Sequence, residues 1–212
     1  ASVASIGNEF YSCSSLTDIT VDSRNNYYSS VDGVLFNKDK SLLIAYPSGK
    51  KDEIYTIPDG VTSIGKSAFT VCNNLSIVNI PDSVSSIEDS AFDLCINLKS
   101  ITIPDGVTSV GERTFHFCKN MTSVTIPDSI TSIGYQAFDE CKSLTDVYYK
   151  GTETQWNSIE TGLNNDPLTS ATIYYNYSEP ETTTTETTVT TAETTVTTTS
   201  AKTTTTTEPP VT

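Results

Sequence analysis

Apolar residues recur along most of this chain at one fixed spacing. The stretch "IPDGVTSIGKSAFTVC" begins at Ile57, and close variants begin at Ile80, Ile103 and Ile126, each 23 residues after the last. A constant period of this length marks a solenoid, in which each repeat is one coil stacked on its neighbours. The shared pattern is I-P-D-[GS]-V-T-S-I-G-x-x-A-F-x-x-C-x-x-L-x-x-V-x. Its end alternates, as in Leu98, Ile101 and Ile103, and predicts a short strand. Pro104 removes a backbone donor and stops that strand, Asp105 and Gly106 favour a turn, and Val107 and Val110 point inward on the return leg. Gly111 occupies a slot that suggests a positive φ, although Glu88 fills the same slot one repeat earlier. The A-F-x-x-C-x-x-L segment has a spacing of three, which predicts a short helical turn burying Phe115, Cys118 and Met121.

Two less regular coils come first. Val3, Ile6, Phe10, Cys13, Leu16, Ile19 and Val21 take the same roles with one residue fewer between Ile6 and Phe10, and "EIYTIP" supplies a strand with Tyr55 and Ile57 inward. Between them, "VDGVLFNKDKSLLIAYPSGK" reads as an inserted hairpin turning at Asn37 to Ser41. After Tyr149 the pattern breaks. Trp156 and Ile159 lie three apart, as on a helical turn, and Leu168, Ala171 and Ile173 echo Leu144, Val147 and Tyr149, which suits an atypical unit closing the core. The expected fold is an α/β repeat solenoid over residues 1–177: irregular coils over 1–56, regular repeats over 57–149 and a cap over 150–177. Residues 178–212 differ. They hold 19 Thr in 35 positions with almost nothing to bury, so a disordered Thr/Glu-rich linker is expected there.

These residues resemble the BspA-like class of bacterial leucine-rich repeats. The repeat unit, the "DGVLFNKDKSLLIAYPSGK" insertion and the "DVYYKGTETQWNSI" cap carry the resemblance. It implies a right-handed solenoid on a secreted or surface protein of a host-associated microbe, generally linked to adhesion and protein binding, with no catalytic residues to carry over. The tail is similar to linkers in secreted multimodular proteins of gut anaerobes, including cellulosomal ones that end in a dockerin. No D-x-D-x-D-G calcium loop occurs, so cohesin binding could come only through a dockerin lying further downstream. The first coil begins in mid-repeat, which predicts a capping segment or more repeats before Ala1 and an anchoring module after Thr212.

Net charge is −14, which argues against nucleic acid as a partner. No apolar run reaches membrane-span length, so membrane insertion is not expected. Five cysteines (Cys13, Cys72, Cys95, Cys118 and Cys141) share one repeat slot. Side chains stacked in parallel sit too far apart at Cβ for a good disulfide, and no C-x-x-C pair suits zinc, so they read as buried structural thiols. His116 is the only histidine; grouped with Val71, Asp93 and Asp139, it reads as a variable, exposed position. Carboxylate pairs such as Glu88–Asp89 and Asp139–Glu140 lie on turns rather than across a cleft, so an enzyme, a metal site and a cofactor are not expected. Asn74, Asn120 and Asn176 head N-x-[ST] triplets, two of which follow from the repeat itself.

Strand alternation leaves Ile54 and Thr56, Ile77 and Asn79, Ser100 and Thr102, Ser123 and Thr125, and Asp146 and Tyr148 facing outward, continued by Ser170, Thr172 and Tyr174. This ribbon is the candidate binding surface for an extended peptide or glycan on a host or bacterial surface, with Tyr148 and Tyr174 as platforms. Thr and Ser are also ordinary solvent-facing strand residues. The expected function is therefore a non-enzymatic extracellular interaction and adhesion module. The alternatives are a structural spacer and a cellulosome-associated carbohydrate-binding module.

Overall fold

A computed structural model of the chain describes residues 13–179 together with Val3, Ser5, Ile6 and Phe10. The chain divides into one unit over Ala1–Ser178 and another over Glu179–Thr212. The expected Thr-rich linker lies outside the described residues.

The insertion is larger than a single hairpin. Strands β1 (Tyr28–Val31), β2 (Val34–Asn37) and β3 (Leu42–Ala45) form an antiparallel meander. Its first turn is Asp32-Gly33, with φ of 49° and 78°, the left-handed pair that a two-residue hairpin loop requires. Each regular coil then supplies two strands: β4 (Ile54–Thr56) and β5 (Ser63–Ile64), β6 (Ile77–Asn79) and β7 (Ser86–Ile87), β8 (Ser100–Thr102) and β9 (Ser109–Val110), β10 (Ser123–Ile126) and β11 (Ser132–Ile133). The last units hold β12 (Asp146–Tyr149), α1 (Glu153–Trp156), β13 (Glu160–Thr161), α2 (Asp166–Ser170) and β14 (Thr172–Tyr174). Strands β4, β6, β8, β10, β12 and β14 line up as one parallel six-stranded sheet. The short return strands form two further sheets, β1-β2-β3-β5-β7 and β13-β11-β9.

Between the sheets each apolar slot stacks on its counterpart in the next coil. Phe69, Phe92, Phe115 and Phe138 form a continuous column of rings, with centroids 4.9, 5.4 and 5.2 Å apart. Each of the four is fully buried. Tyr46 of the insertion extends the column, 5.3 Å from Phe69. At the far end Tyr149 replaces the usual Ile and meets Trp156 edge-on at 5.1 Å. Thr152 caps α1 reciprocally with Gln155, which fixes the turn that lays Trp156 against the core.

The A-F-x-x-C arc is not helical. Ser67 and Val71, Ser90 and Leu94, Arg113 and Phe117, and Gln136 and Glu140 all have φ between 54° and 62°. These left-handed residues, four apart, turn alternate peptides along the stacking direction. The N–H groups of Ser90, Phe92 and Leu94 therefore donate to carbonyls of Glu112, Thr114 and His116 in the next coil, at 2.8 Å each, while Ala91, Asp93 and Cys95 close turns within their own coil. Each such non-glycine residue costs about 1 kcal/mol, and the arrangement offsets this by pairing the amides of the arc alternately with the next coil and within their own. A spacing of three fits consecutive turns as well as a helix, which is why the periodicity misled.

Gly111 also departs from expectation. Its φ is not positive. A Cβ there would lie 2.6 Å from Asp89 Oδ1, so the slot is small because the preceding coil presses on it. The end unit shifts too: Val147 pairs with Ile173 rather than with Ala171.

Candidate functional site

The six-stranded sheet turns one side of its residues to the core and the other to solvent. Its register sorts the outward side chains into two ladders. One runs Ile54, Ile77, Ser100, Ser123, Asp146, Thr172, each the direct partner of the next. The second holds Thr56, Asn79, Thr102, Thr125, Tyr148 and Tyr174, and Asn79 Nδ2 donates to Thr56 Oγ1 at 2.9 Å. At ~4.8 Å per strand the ladders span about 24 Å. The alternation named from sequence thus lies on one continuous surface. Ser170 does not join it, since it ends α2.

The ladders are not uniform. At one end Ile54 and Ile77 are 57% and 37% exposed, side by side. The middle is small and polar, except that Thr125 is only 8% exposed and so offers little contact area, contrary to expectation. The other end is aromatic. Tyr148 stacks on Tyr174 at 5.2 Å and meets Tyr177 at 4.7 Å. Tyr177 escapes a reading by strand alternation because it follows the turn at Tyr175-Asn176, where Asn176 has φ of 54°. Asp146 lies beside this cluster. Its carboxylate accepts from Thr145 Oγ1 at 2.6 Å, and its hydrogen bond with Tyr174 pushes that phenol above its ordinary pKa.

His116 is not exposed. It is buried on the arc with its Nδ1 2.7 Å from Asp93 Oδ1, a carboxylate one coil away that is itself buried. Arg113 Nη2 lies 2.9 Å from Nδ1 and 3.7 Å from Asp93 Oδ2. The slot, two residues before each arc cysteine, holds Thr70, Asp93, His116 and Asp139; Val71 is one position off. Thr70 fills it with another inter-coil bond, donating to Ser90 O at 3.2 Å. The trio thus ties neighbouring coils together. Glu88 and Asp89 do similar work, accepting from Lys66 N and Glu112 N at 2.9 Å each, whereas Glu140 pairs with Lys142 of its own coil at 2.7 Å.

Cys72, Cys95, Cys118 and Cys141 are buried and not bridged. Three thiols have good carbonyl acceptors in the preceding coil: Cys95 donates to Phe69 O at 3.0 Å, Cys118 to Phe92 O at 3.3 Å and Cys141 to Phe115 O at 3.1 Å. Burial pushes the Cys72 and Cys118 thiols well up. Cys13 is exposed, against expectation, because the first coil covers its slot poorly: Leu16, Ile19 and Val21 are only half-buried. A cleft of about 750 Å³ beside that coil is lined by Ile6, Phe10, Ile19, Tyr28 and Leu35, and its one salt bridge pairs Asp22 with Arg24. Among the described residues no His, Cys, Asp or Glu group could hold a metal ion, and no helix is long and apolar enough to cross a membrane.

Residues 45–159 match the model of the BspA type leucine rich repeat region, in 6 copies. The chain belongs to this family. Among solved structures it is similar to a leucine-rich repeat protein of Eubacterium ventriosum at 30% identity and a TM-score of 0.64, over 66% of this chain and 38% of that one. A leucine rich cell surface protein of Faecalibacterium prausnitzii matches at 35% identity and a TM-score of 0.58, over 72% and 47% respectively. The pneumococcal vaccine antigen PcpA matches at 25% identity and 0.55, over 75% and 45%. The chain thus spans less than half the length of each. No curated protein matches. Leucine-rich repeats of this kind are typically non-enzymatic.

Proposed function

We propose that this BspA-type solenoid is a non-enzymatic adhesion module outside the cell, and that it binds a partner protein across the outward face of its six-stranded sheet. The Thr-rich tail serves as the linker to an anchoring module, of cell-wall or dockerin type, and cohesin binding would come only through the latter. The observation that carries this reading is the placement of Ile54, Ile77 and Tyr174. These large, exposed side chains lie on the outward side of one sheet, where the core does not use them. Exposed apolar and aromatic residues collected on one face favour protein contact.

The test is a binding screen of the chain against bacterial and host surface proteins and polysaccharides, repeated with Ile77→Arg. Partners of the sheet face should be lost with that substitution, which puts a bulky charge into the apolar end of the ladder. Partners that survive it unchanged would move the binding site off this face, and a screen without partners would favour the spacer role.

A further inference from the structure

Three residues beyond the outward strand residues Thr56, Asn79, Thr102 and Thr125 stand Asp59, Asp82, Asp105 and Asp128, one per coil. All four are exposed, so they form a row of carboxylates along the edge of the sheet where the strands end. Stacked coils repeat at ~4.8 Å, close enough for neighbouring charges to repel even in water. Only Asp105 has an ion-pair partner among the described residues: Lys150, at 2.7 Å. No Lys or Arg occurs among the outward residues of the two ladders, and Asp146 adds another carboxylate beside the tyrosines. At that end β14 is the outermost strand, and Tyr174 is 45% exposed with one ring face covered by Tyr148. A ring whose other face looks away from the sheet, next to a carboxylate, is the arrangement that attracts an organic cation.

We propose that the occupant of the sheet face is an extended, lysine- or arginine-rich segment of a partner protein, lying across the strands with its cations along the aspartate row and over Tyr174. This rests on the face being the binding surface, and adds the chemistry of what it binds. Ile54 and Ile77 would receive an aliphatic residue at the far end of the same segment. The ligand is identified by charge complementarity: five carboxylates border the face and a single lysine offsets them.

About eight extended residues cover the width of the sheet. The probe is therefore a fluorescent peptide of about that length alternating arginine and serine, with a glutamate–serine peptide as control, titrated into the full chain by anisotropy. The arginine peptide should bind and the glutamate peptide should not. Tyr174→Ala and Asp146→Asn should each weaken binding about threefold or more. The triple change Asp59→Asn, Asp82→Asn and Asp128→Asn should weaken it at least about tenfold, and added salt should do the same to the parent. Glu112→Gln on the arc should leave affinity unchanged, and circular dichroism checks that each variant keeps the parent fold. Failure of the arginine peptide to bind, or binding that the sheet-face substitutions do not weaken, overturns the proposal. If the peptide fails while Ile77→Arg still abolishes a screened protein partner, the face remains the binding surface and only the basic ligand is wrong. If Ile77→Arg spares every partner, the face itself is wrong.

Discussion

Truncating Phe92 to alanine probes what holds successive coils together. The ring is fully buried and stacked on both sides, 4.9 Å from Phe69 with an interplanar angle of 8° and 5.4 Å from Phe115 at 12°. Removing a buried phenylalanine costs about 3–5 kcal/mol through lost transfer energy and the cavity left behind. Each ring pair adds ~0.5–1.5 kcal/mol beyond burial. With two pairs broken, Phe92→Ala should fall in the upper half of that range, at about 4–5 kcal/mol. Phe138 is equally buried but has one ring neighbour in the column, Phe115 at 5.2 Å and 27°. Its truncation should therefore cost about 1 kcal/mol less. Phe92→Leu keeps most of the volume, loses the stacking and should cost about 1–2 kcal/mol. Urea unfolding of the three variants gives the midpoints, and an unchanged m-value licenses their comparison. A Phe92→Ala cost below ~1.5 kcal/mol, or a Phe138→Ala cost greater than that of Phe92→Ala, would refute the idea that the ring column carries the coupling between coils.

Other consequences can be measured on the same protein. In the native chain a thiol reagent should modify one cysteine quickly, the exposed Cys13, and the four buried ones only at the rate of opening; a second fast thiol would show that the arc column is loosely packed. Burial raises the Cys72, Cys118, Tyr46 and Tyr55 pKa values, so the folded state keeps protons that the unfolded chain releases. That stabilising contribution is complete below the ordinary values, near ~8.5 for the thiols and ~10 for the phenols, and declines as pH rises past each, by about 1.4 kcal/mol per pH unit for each group. Unfolding midpoints should accordingly drop from about pH 9 upward, and Cys72→Ala with Cys118→Ala should flatten the slope even though the double variant starts lower. His116→Ala leaves the Asp93 carboxylate buried with only Arg113 nearby, at 3.7 Å, and should cost about 1–3 kcal/mol; a neutral outcome in thermal or urea unfolding would return His116 to the exposed position its slot first suggested.

The coil register was open to reading because a solenoid writes each packing position several times over. Ile57, Ile103 and Ile126 are independent copies of one instruction, and so are the four ring phenylalanines. What misled was wherever one pattern fits two geometries. Phe-x-x-Cys-x-x-Leu suits a helix and a chain of turns alike, and only the left-handed φ values at Ser90 and Leu94 decide between them. Nothing in serine or leucine announces those angles, since it is the neighbouring coil that imposes them. The Gly111 slot is similar, because a glycine chosen for close approach looks like one chosen for φ. His116 was lost differently, through a one-residue misplacement of Val71 for Thr70, after which a buried inter-coil slot looked variable and therefore exposed. The Asp32-Gly33 turn, by contrast, carries a plain two-residue hairpin signal in the sequence. Alternation sorts the outward side of the sheet from the inward side but does not rank its residues, since it treats Thr125 and Thr102 alike. Thr125 is nearly covered while its register partner Thr102 is exposed, a difference made by the packing around each strand rather than by residue type. The same holds for Tyr177, brought to Tyr148 only by the turn after β14. Repetition thus makes the core legible and leaves the character of the outward face to the residues that break the repeat: Ile54 and Ile77 at one end, Asp146 and the tyrosines at the other. Substitutions at those non-repeating positions are accordingly where binding and stability should separate.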